Sequence, residues 1–377
     1  MAASSQPQRS SSEVRKTSRS AARSLWRTHR EGSGFLTKNL WAWLTHYLGL
    51  VLRPRRPFPT YAATGRPGVF ALPNECRLGL AGDWGTGTET AEKVARNMGG
   101  HEPQVTIHLG DVYYSGTTPE FTDYFLPTWP RGALRTFLLN GNHEMYSGGE
   151  GYFGTALPRV KQETSYFCLE NDHWRIIGLD TGYYARVFPL LELLLSGWIR
   201  LHDATREWLA SVVFADPADK RPVILLSHHQ WFSSFDTEYR HLGKDLAAYL
   251  PRVLLWFWGH EHRFAAYGPH GLDGYPKVRA RCIGHGGMPV ELKGLPKRDR
   301  NLLLYDNRQA GTVDGDPIGY CGYALLNLKG PELRVEYRDE RDFLLFAEEW
   351  TQSSGGISGR VAHLEGVTLE KPEPIQL

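Results

Sequence analysis

Five short apolar runs, each closed at once by Gly, Asp, Asn or His, constrain this chain more than any other feature. They are "CRLGLAGD" (76–83), "QVTIHLGD" (104–111), "RTFLLNGNHE" (135–144), "PVILLSHH" (222–229) and "RVLLWFWGHEH" (252–262). Short continuous apolar runs bounded by turn formers read as buried strands. Between them, amphipathic stretches such as Glu89–Met98 and Ala204–Val213 read as helices, so strands and helices alternate and the fold class is α/β. In open α/β sheets ligands gather beyond the carboxyl ends of the strands. The polar residues that close the runs, Asp83, Asp111, Asn142, His143, His228 or His229, His260 and His262, are therefore expected to converge on one edge. No internal repeat is present.

The rest of the chain frames this unit. With 377 residues, 41% of them hydrophobic, it can bury a large core. Its net charge of +2 is uneven: residues 1–66 hold twelve Lys/Arg against two Glu, +10, so residues 67–377 carry 2 − 10 = −8. The body is acidic and the tail basic. The Ser/Arg-rich opening predicts a disordered basic tail over 1–33. Residues 34–70 read as an amphipathic helix followed by a Pro/Arg-rich linker. Leu36, Leu40, Leu44, Tyr47 and Val51 recur at helical spacing, while Lys38, Asn39 and His46 interrupt the apolar run. A helix covering the domain, a membrane-surface helix with basic flanks, and a signal or span are the three readings of that segment. The domain itself is expected over 71–350, with a loose C-terminal tail over 351–377.

"SYFCLEN" and "HWRIIGLDT" predict a hairpin ending at Asp180, and "KGPE" a turn between antiparallel strands. The apolar segment 183–202 reads as core packing, a second-layer helix or a lid. Cys76, Cys168, Cys282 and Cys321 lie far apart with no close pair, which predicts buried free thiols and a reducing compartment. A cytoplasmic location is expected, with membrane-peripheral contact through residues 34–56 as a variant.

Carboxylates, an amide oxygen and imidazoles are hard-to-borderline donors that suit Mn, Fe or Zn and exclude an all-thiolate structural zinc site. A single Asp at a strand end ordinarily caps a turn. Five ordered clusters do not arise that way. Together "GDWG", "GDVYY", "GNHE", "LLSHH" and "GHEH", in this order, resemble the metallophosphoesterase (calcineurin-like) superfamily over Arg77 to Gly287. The resemblance implies an α/β (α+β) sandwich of two mixed β-sheets flanked by helices, with a dinuclear metal centre at the strand ends.

In that superfamily the first motif usually reads GDxH, its His binding the first metal. Here Trp84 and Gly85 leave no such His, and Gly110-Asp111-Val112-Tyr113-Tyr114 instead matches the GDxxY of the purple acid phosphatases. Carried over residue by residue, the resemblance gives the first metal Asp83, Tyr114, His262 and one oxygen of Asp111. It gives the second Asp111 as bridge, Asn142, His228 and His260. Tyr113 is then expected to point elsewhere. His228 is preferred to His229 as the first position of an H-x-P stretch, although Gln230 stands where the Pro would be. A phenol with a free pKa of about 10 stays ionised in mildly acidic water only beside a strongly Lewis-acidic ion. The resemblance therefore implies Fe(III) at the Tyr114 site and Zn, Mn or Fe(II) at the second.

His143 occupies the place where the family keeps a proton donor to the leaving group, and Glu144 is expected to orient a His. His229, and His285 in "CIGHGGMP", are weaker candidates for phosphate contact. The implied activity is hydrolysis of a phosphate ester, a phosphomonoester first and a phosphodiester or nucleotide second. No specific nucleic-acid binding is expected of the enzyme. A reading from another class is a metal-stabilised scaffold acting through its basic tail on a membrane surface or nucleic acid.

Overall fold

The computed structural model describes residues 54–185, 199–292, 294–313 and 315–364. The expectations for residues 1–33, for the apolar helix ending at Leu52, for most of 183–202 and for 365–377 lie outside them. Among the described residues no helix is long and apolar enough to cross a membrane.

Two large mixed sheets face each other, with a small three-stranded sheet beside them. The seven-stranded sheet runs in the order Gly356–Leu364, Leu344–Ser353, Glu332–Asp339, Gly322–Lys329, Glu75–Ala81, Val105–His108, Arg135–Leu138. The eight-stranded sheet runs Val69–Ala71, Phe167–Glu170, Arg175–Gly178, Val223–Ser227, Val253–Trp258, Val278–Ile283, Phe264–His270, Leu302–Tyr305. Glu75–Ala81, Val105–His108 and Arg135–Leu138 pair in parallel, as do Arg175–Gly178, Val223–Ser227 and Val253–Trp258.

Parallel strands covered on both faces have no solvent side to satisfy, so they read as nearly unbroken apolar runs, and "VLLWFW" is buried throughout. The antiparallel strand Glu332–Asp339 has one open face and alternates, turning Leu333, Val335 and Tyr337 inward. Leu78, Leu80, Ile107 and Phe137 from one sheet pack with Ile176, Ile224, Leu226 and Phe257 from the other. At about 1.5–3 kcal/mol for each large apolar side chain fully buried, this layer is the main force holding the sheets together.

The helix Glu89–Gly100 covers the outer face of the seven-stranded sheet with Val94, Ala95 and Met98. It begins where Thr88 Oγ1 accepts the Ala91 N–H and where Glu89 and Glu92 lie in the positive first turn. Helix Asp203–Trp208 continues as a wider turn to Val213, matching the second amphipathic stretch, and the hairpin Phe167–Glu170 with Arg175–Gly178 forms as expected. All four cysteines are free and buried.

The domain is longer than its sequence suggests at both ends. Val69–Ala71 joins the eight-stranded sheet, and Gly356–Leu364 pairs along Leu344–Ser353, so an ordered strand occupies residues expected in the loose tail. That strand buries little, its residues alternating between exposed and half-buried, and so carries no strong apolar pattern to read.

One polar pair in the core was not anticipated. Arg281 in the eight-stranded sheet and Glu348 in the seven-stranded sheet are both 0% exposed and meet through two bonds of 2.8 and 2.6 Å. The Tyr337 hydroxyl donates to the same carboxylate, and Arg281 also donates to the Tyr267 and Ala280 carbonyls. Removing one partner leaves a buried charge uncompensated, at a cost of about 3–5 kcal/mol, whereas replacing both by apolar side chains is often neutral. Glu348→Leu is expected to lower the unfolding free energy, read from denaturant titration, by that amount, and Arg281→Met with Glu348→Leu to recover most of it. A double-variant loss equal to the sum of the Glu348→Leu and Arg281→Met losses would show that the pair is not coupled.

Candidate metal centre

The carboxyl ends of five parallel strands, from both sheets, meet at one edge. Asp83 follows Glu75–Ala81, Asp111 follows Val105–His108, Asn142 and His143 follow Arg135–Leu138, His228 follows Val223–Ser227, and His260 and His262 follow Val253–Trp258. The chain turns so sharply there that Asp83, Asp111 and His260 take positive φ values of 56°, 69° and 64°. Left-handed backbone at non-glycine residues is costly and collects where side chains must be aimed. Two glycines are required by crowding. A Cβ on Gly141 would lie 2.1 Å from Asp111 Oδ1, and one on Gly259 would lie 2.6 Å from Asp83 Oδ2.

Two overlapping donor sets result. In one, His228 Nε2 lies 3.1 Å from Asn142 Oδ1 and 3.3 Å from Asp111 Oδ2, and His260 Nδ1 lies 3.0 Å from Asn142 Oδ1. His228 Nδ1–H donates to the Leu109 carbonyl at 2.9 Å, which leaves Nε2 for the site. Asn142 Nδ2 donates to the Tyr146 hydroxyl at 2.9 Å, which turns the amide oxygen inward.

In the other set, the Tyr113 hydroxyl donates to Asp83 Oδ1 at 2.8 Å, lies 2.9 Å from His262 Nε2 and is 3.4 Å from Asp111 Oδ2. His262 Nε2 is 3.4 Å from Asp83 Oδ1. Asp111 belongs to both sets. The expected ligands Asp83, Asp111, Asn142, His228, His260 and His262 are thus brought together.

Motif spacing points to Tyr114 and turns Tyr113 away, whereas it is the Tyr113 hydroxyl that reaches Asp83 and His262. Tyr113 N–H donates to the Gly85 carbonyl and its ring packs against Met288, which carries the side chain inward. Tyr114 is held by its backbone, its N–H on Glu120 Oε1 and its carbonyl accepting His143 Nδ1–H at 2.7 Å, and its ring stands edge-on to His143.

Glu144 accepts the backbone N–H groups of Asp111, Val112 and Gly141 at 3.1, 2.7 and 2.8 Å and so pins two loops. The His285 ring lies beside Gly322 and Phe264, in the field of Asp306 and Asp339. His143 lies against Asp111: its backbone N–H donates to Asp111 Oδ1 at 3.0 Å and its Nε2 lies 3.8 Å from Asp111 Oδ2. Tyr239, whose hydroxyl is 3.2 Å from His260 Nε2, was missed because it sits in an irregular loop, "FDTEYRH". Tyr146 was legible in principle as the i+4 neighbour of Asn142 on a short helix.

Electrostatics say what this arrangement lacks. Burial pushes the Asp83 carboxyl up to about 6, against the pull of His228. Burial, then the charges of Asp83 and Asp111, raises the Tyr113 phenol well above its ordinary value. Burial opposes a charge on His228, yet Asp111, Asp83 and Glu144 together outweigh it and lift the imidazole to about 9, while Asp111 itself falls well below the usual carboxylate range, the charges of His228 and His143 overcoming its own burial. A buried group of acids held together by one imidazolium calls for more positive charge. Two carboxylates, a phenol, an amide oxygen and three imidazoles are the donors that borderline or hard cations take, so the residues fit a pair of metal ions.

Comparison with known proteins agrees with this geometry. The family model of the calcineurin-like phosphoesterases matches residues 76–264, just over half of the chain. A purple acid phosphatase from yellow lupin (Lupinus luteus) seeds is similar in fold, with a TM-score of 0.54 at 16% identity, over 74% of this chain and 54% of that one. The chain thus spans about half the length of that phosphatase. The structure of PhoD is similar with a TM-score of 0.51 at 11% identity, over 84% of this chain and 74% of that one. No curated protein matches the sequence. With five strand-end motifs in order, their donors gathered at one edge of a two-sheet sandwich and the family model matched across them, the chain belongs to the calcineurin-like phosphoesterases, a family of metal-dependent phosphoester hydrolases.

Proposed function

We propose that the chain hydrolyses phosphomonoesters at a dinuclear centre, with Asp83, Asp111, Tyr113 and His262 holding one ion and Asp111, Asn142, His228 and His260 the other. The observation that carries this reading is the Tyr113 hydroxyl, 2.8 Å from Asp83 and 2.9 Å from His262. A phenol oxygen stands where the first motif, with Trp84 and Gly85, has no His to offer. A tyrosine in place of the missing His resembles the exchange made in the purple acid phosphatases, here one residue earlier than their GDxxY spacing, and it supports a ferric ion in the Tyr113 set, since a buried phenol beside two carboxylates ionises only against a strongly Lewis-acidic cation.

When bound, the two ions supply Lewis-acid stabilisation of the phosphoryl charge and a water activated near neutral pH. The chain's own residues do the rest. Asp111 ties the two sets together, Tyr146 holds the Asn142 amide in orientation, and Glu144 fixes the loops on which Asp111 and Asn142 stand. His143, with Nδ1–H committed to the Tyr114 carbonyl, presents Nε2 to the site. As an imidazolium it gives that proton to the departing alkoxide.

General acid help is typically worth about 10²–10⁴ in rate. His143→Ala is therefore expected to slow alkyl esters by that factor and aryl esters far less, because phenolates leave without a proton, with metal content unchanged. Equal losses on both would remove the acid role. The reading as a whole is tested by turnover of p-nitrophenyl phosphate against its bis-ester in protein loaded with iron and zinc or manganese. Preference for the bis-ester would favour the phosphodiesterase alternative, and no turnover of either would favour a scaffold acting through the basic tail.

A further inference from the structure

A third imidazole stands beside the second donor set. His229 is 0% exposed, and its ring centroid lies 4.8 Å from that of His228 and 4.8 Å from that of His260. Its Nδ1 is 3.0 Å from the Thr181 hydroxyl, which also accepts the His229 backbone N–H at 3.0 Å. Its Nε2 has no hydrogen-bond partner among the described residues. One ligand atom from each of His228, His229 and His260 lies within 4.8 Å of the others. A buried ring nitrogen without a partner is destabilising, and metal-binding imidazoles commonly hold their second nitrogen on an oxygen, as His229 does on Thr181.

We propose that His229 Nε2 is a further donor to the ion held by Asp111, Asn142, His228 and His260, making this a three-imidazole site that selects zinc-like ions over manganese. The inference rests on the dinuclear reading above and adds to it a ligand and the class of the second metal. Full burial argues for this role over phosphate contact: a substrate arriving from solvent does not meet the ring, whereas an ion among the three imidazoles does. The two sites are then chemically unlike. The Tyr113 set offers one imidazole, two carboxylates and a phenol, an oxygen-rich shell for a hard ion. The His229 set offers three imidazoles, one carboxylate and one amide oxygen. Imidazole suits zinc, copper, iron and nickel, while carboxylate and carbonyl oxygen suit manganese and magnesium, so each added nitrogen widens the preference for zinc.

The test uses the full chain loaded with iron and zinc. Zinc-edge X-ray absorption of the unmutated protein is expected to fit three imidazoles, and a fit to two would overturn the proposal. His229→Phe keeps an aromatic ring of similar shape but offers no donor. It is expected to weaken zinc binding by at least about 10–100-fold, the range seen when even outer partners of ligands are removed, with the iron equivalent retained and manganese affinity changed less. Unchanged zinc affinity and unchanged zinc-over-manganese preference would overturn it. Fewer than two ions per unmutated chain would instead overturn the dinuclear reading on which it rests, and the two failures are distinguished by metal stoichiometry before any variant is made. The absorption measurement needs no variant and decides the question even if His229→Phe does not fold.

Discussion

Oxidised, iron-loaded protein is expected to be purple to pink, and Tyr113→Phe to bleach it while Tyr114→Phe leaves the colour. Light in the visible range moves electron density from a phenolate to ferric iron, so the band reports the tyrosine whose oxygen is bound. Tyr113 is 1% exposed, with its ring against Met288 and 4.5 Å from His143. Phenylalanine keeps that packing and deletes only the oxygen that reaches Asp83 and His262. Nothing else in this set replaces it, since Trp84 and Gly85 offer no ligand, so iron retention should fall together with the band. Tyr114→Phe changes no atom of the carbonyl that holds His143. Colour lost from Tyr114→Phe and kept in Tyr113→Phe would restore the assignment that motif spacing suggests. No band in either variant or in the unmutated protein would leave a metallophosphoesterase without a tyrosinate.

The reason this residue was not legible in the sequence is local geometry. Strands have a regular repeat, so the apolar runs alone placed Asp83, Asp111, Asn142, His143, His228 or His229, His260 and His262 at one edge, and the resemblance chose the donors among them. Beyond the strand that period ends. Asp111 has φ 69°, Val112 bridges to Gly85, and the two loops are drawn in by Glu144 and Glu120. Which of two neighbouring tyrosines then faces the donors depends on those turns, and counting residues from Asp111 does not supply it. The same limit hid Tyr239, on an irregular loop, and the meeting of Arg281 with Glu348 across 67 residues of chain. The sandwich was more legible than its edges, because runs such as "VILLS" and "VLLWFW" are buried on both sides, whereas Gly356–Leu364 alternates between exposed and half-buried and reads as a tail.

Asp111 carries the largest expected loss of activity. Its Oδ2 stands 3.3 Å from His228 Nε2 in one set and 3.4 Å from the Tyr113 hydroxyl in the other, so a single carboxylate serves both. Its Oδ1 accepts the His143 N–H at 3.0 Å, which also places the proposed acid. The clean substitution is Asp111→Asn. With φ at 69°, alanine would add backbone strain of its own, whereas asparagine tolerates the left-handed region and keeps an oxygen for the His143 N–H. What asparagine removes is the negative charge. An ion supplies several kcal/mol of transition-state stabilisation, and about 4 kcal/mol is roughly 10³ in rate. Weakening both ions at once should therefore cost at least that factor, and the purified variant should hold well under one equivalent of each metal. Asp83→Asn is the control, because Asp83 Oδ1 reaches Tyr113 and His262 while its Oδ2 meets the second set through the His260 backbone N–H, a bond that an asparagine oxygen still accepts, and it should release the iron equivalent while retaining most of the second. An Asp111→Asn protein that loses one metal and keeps the other at full occupancy would show that the carboxylate serves a single ion, and the two donor sets would then have to be redrawn as separate sites.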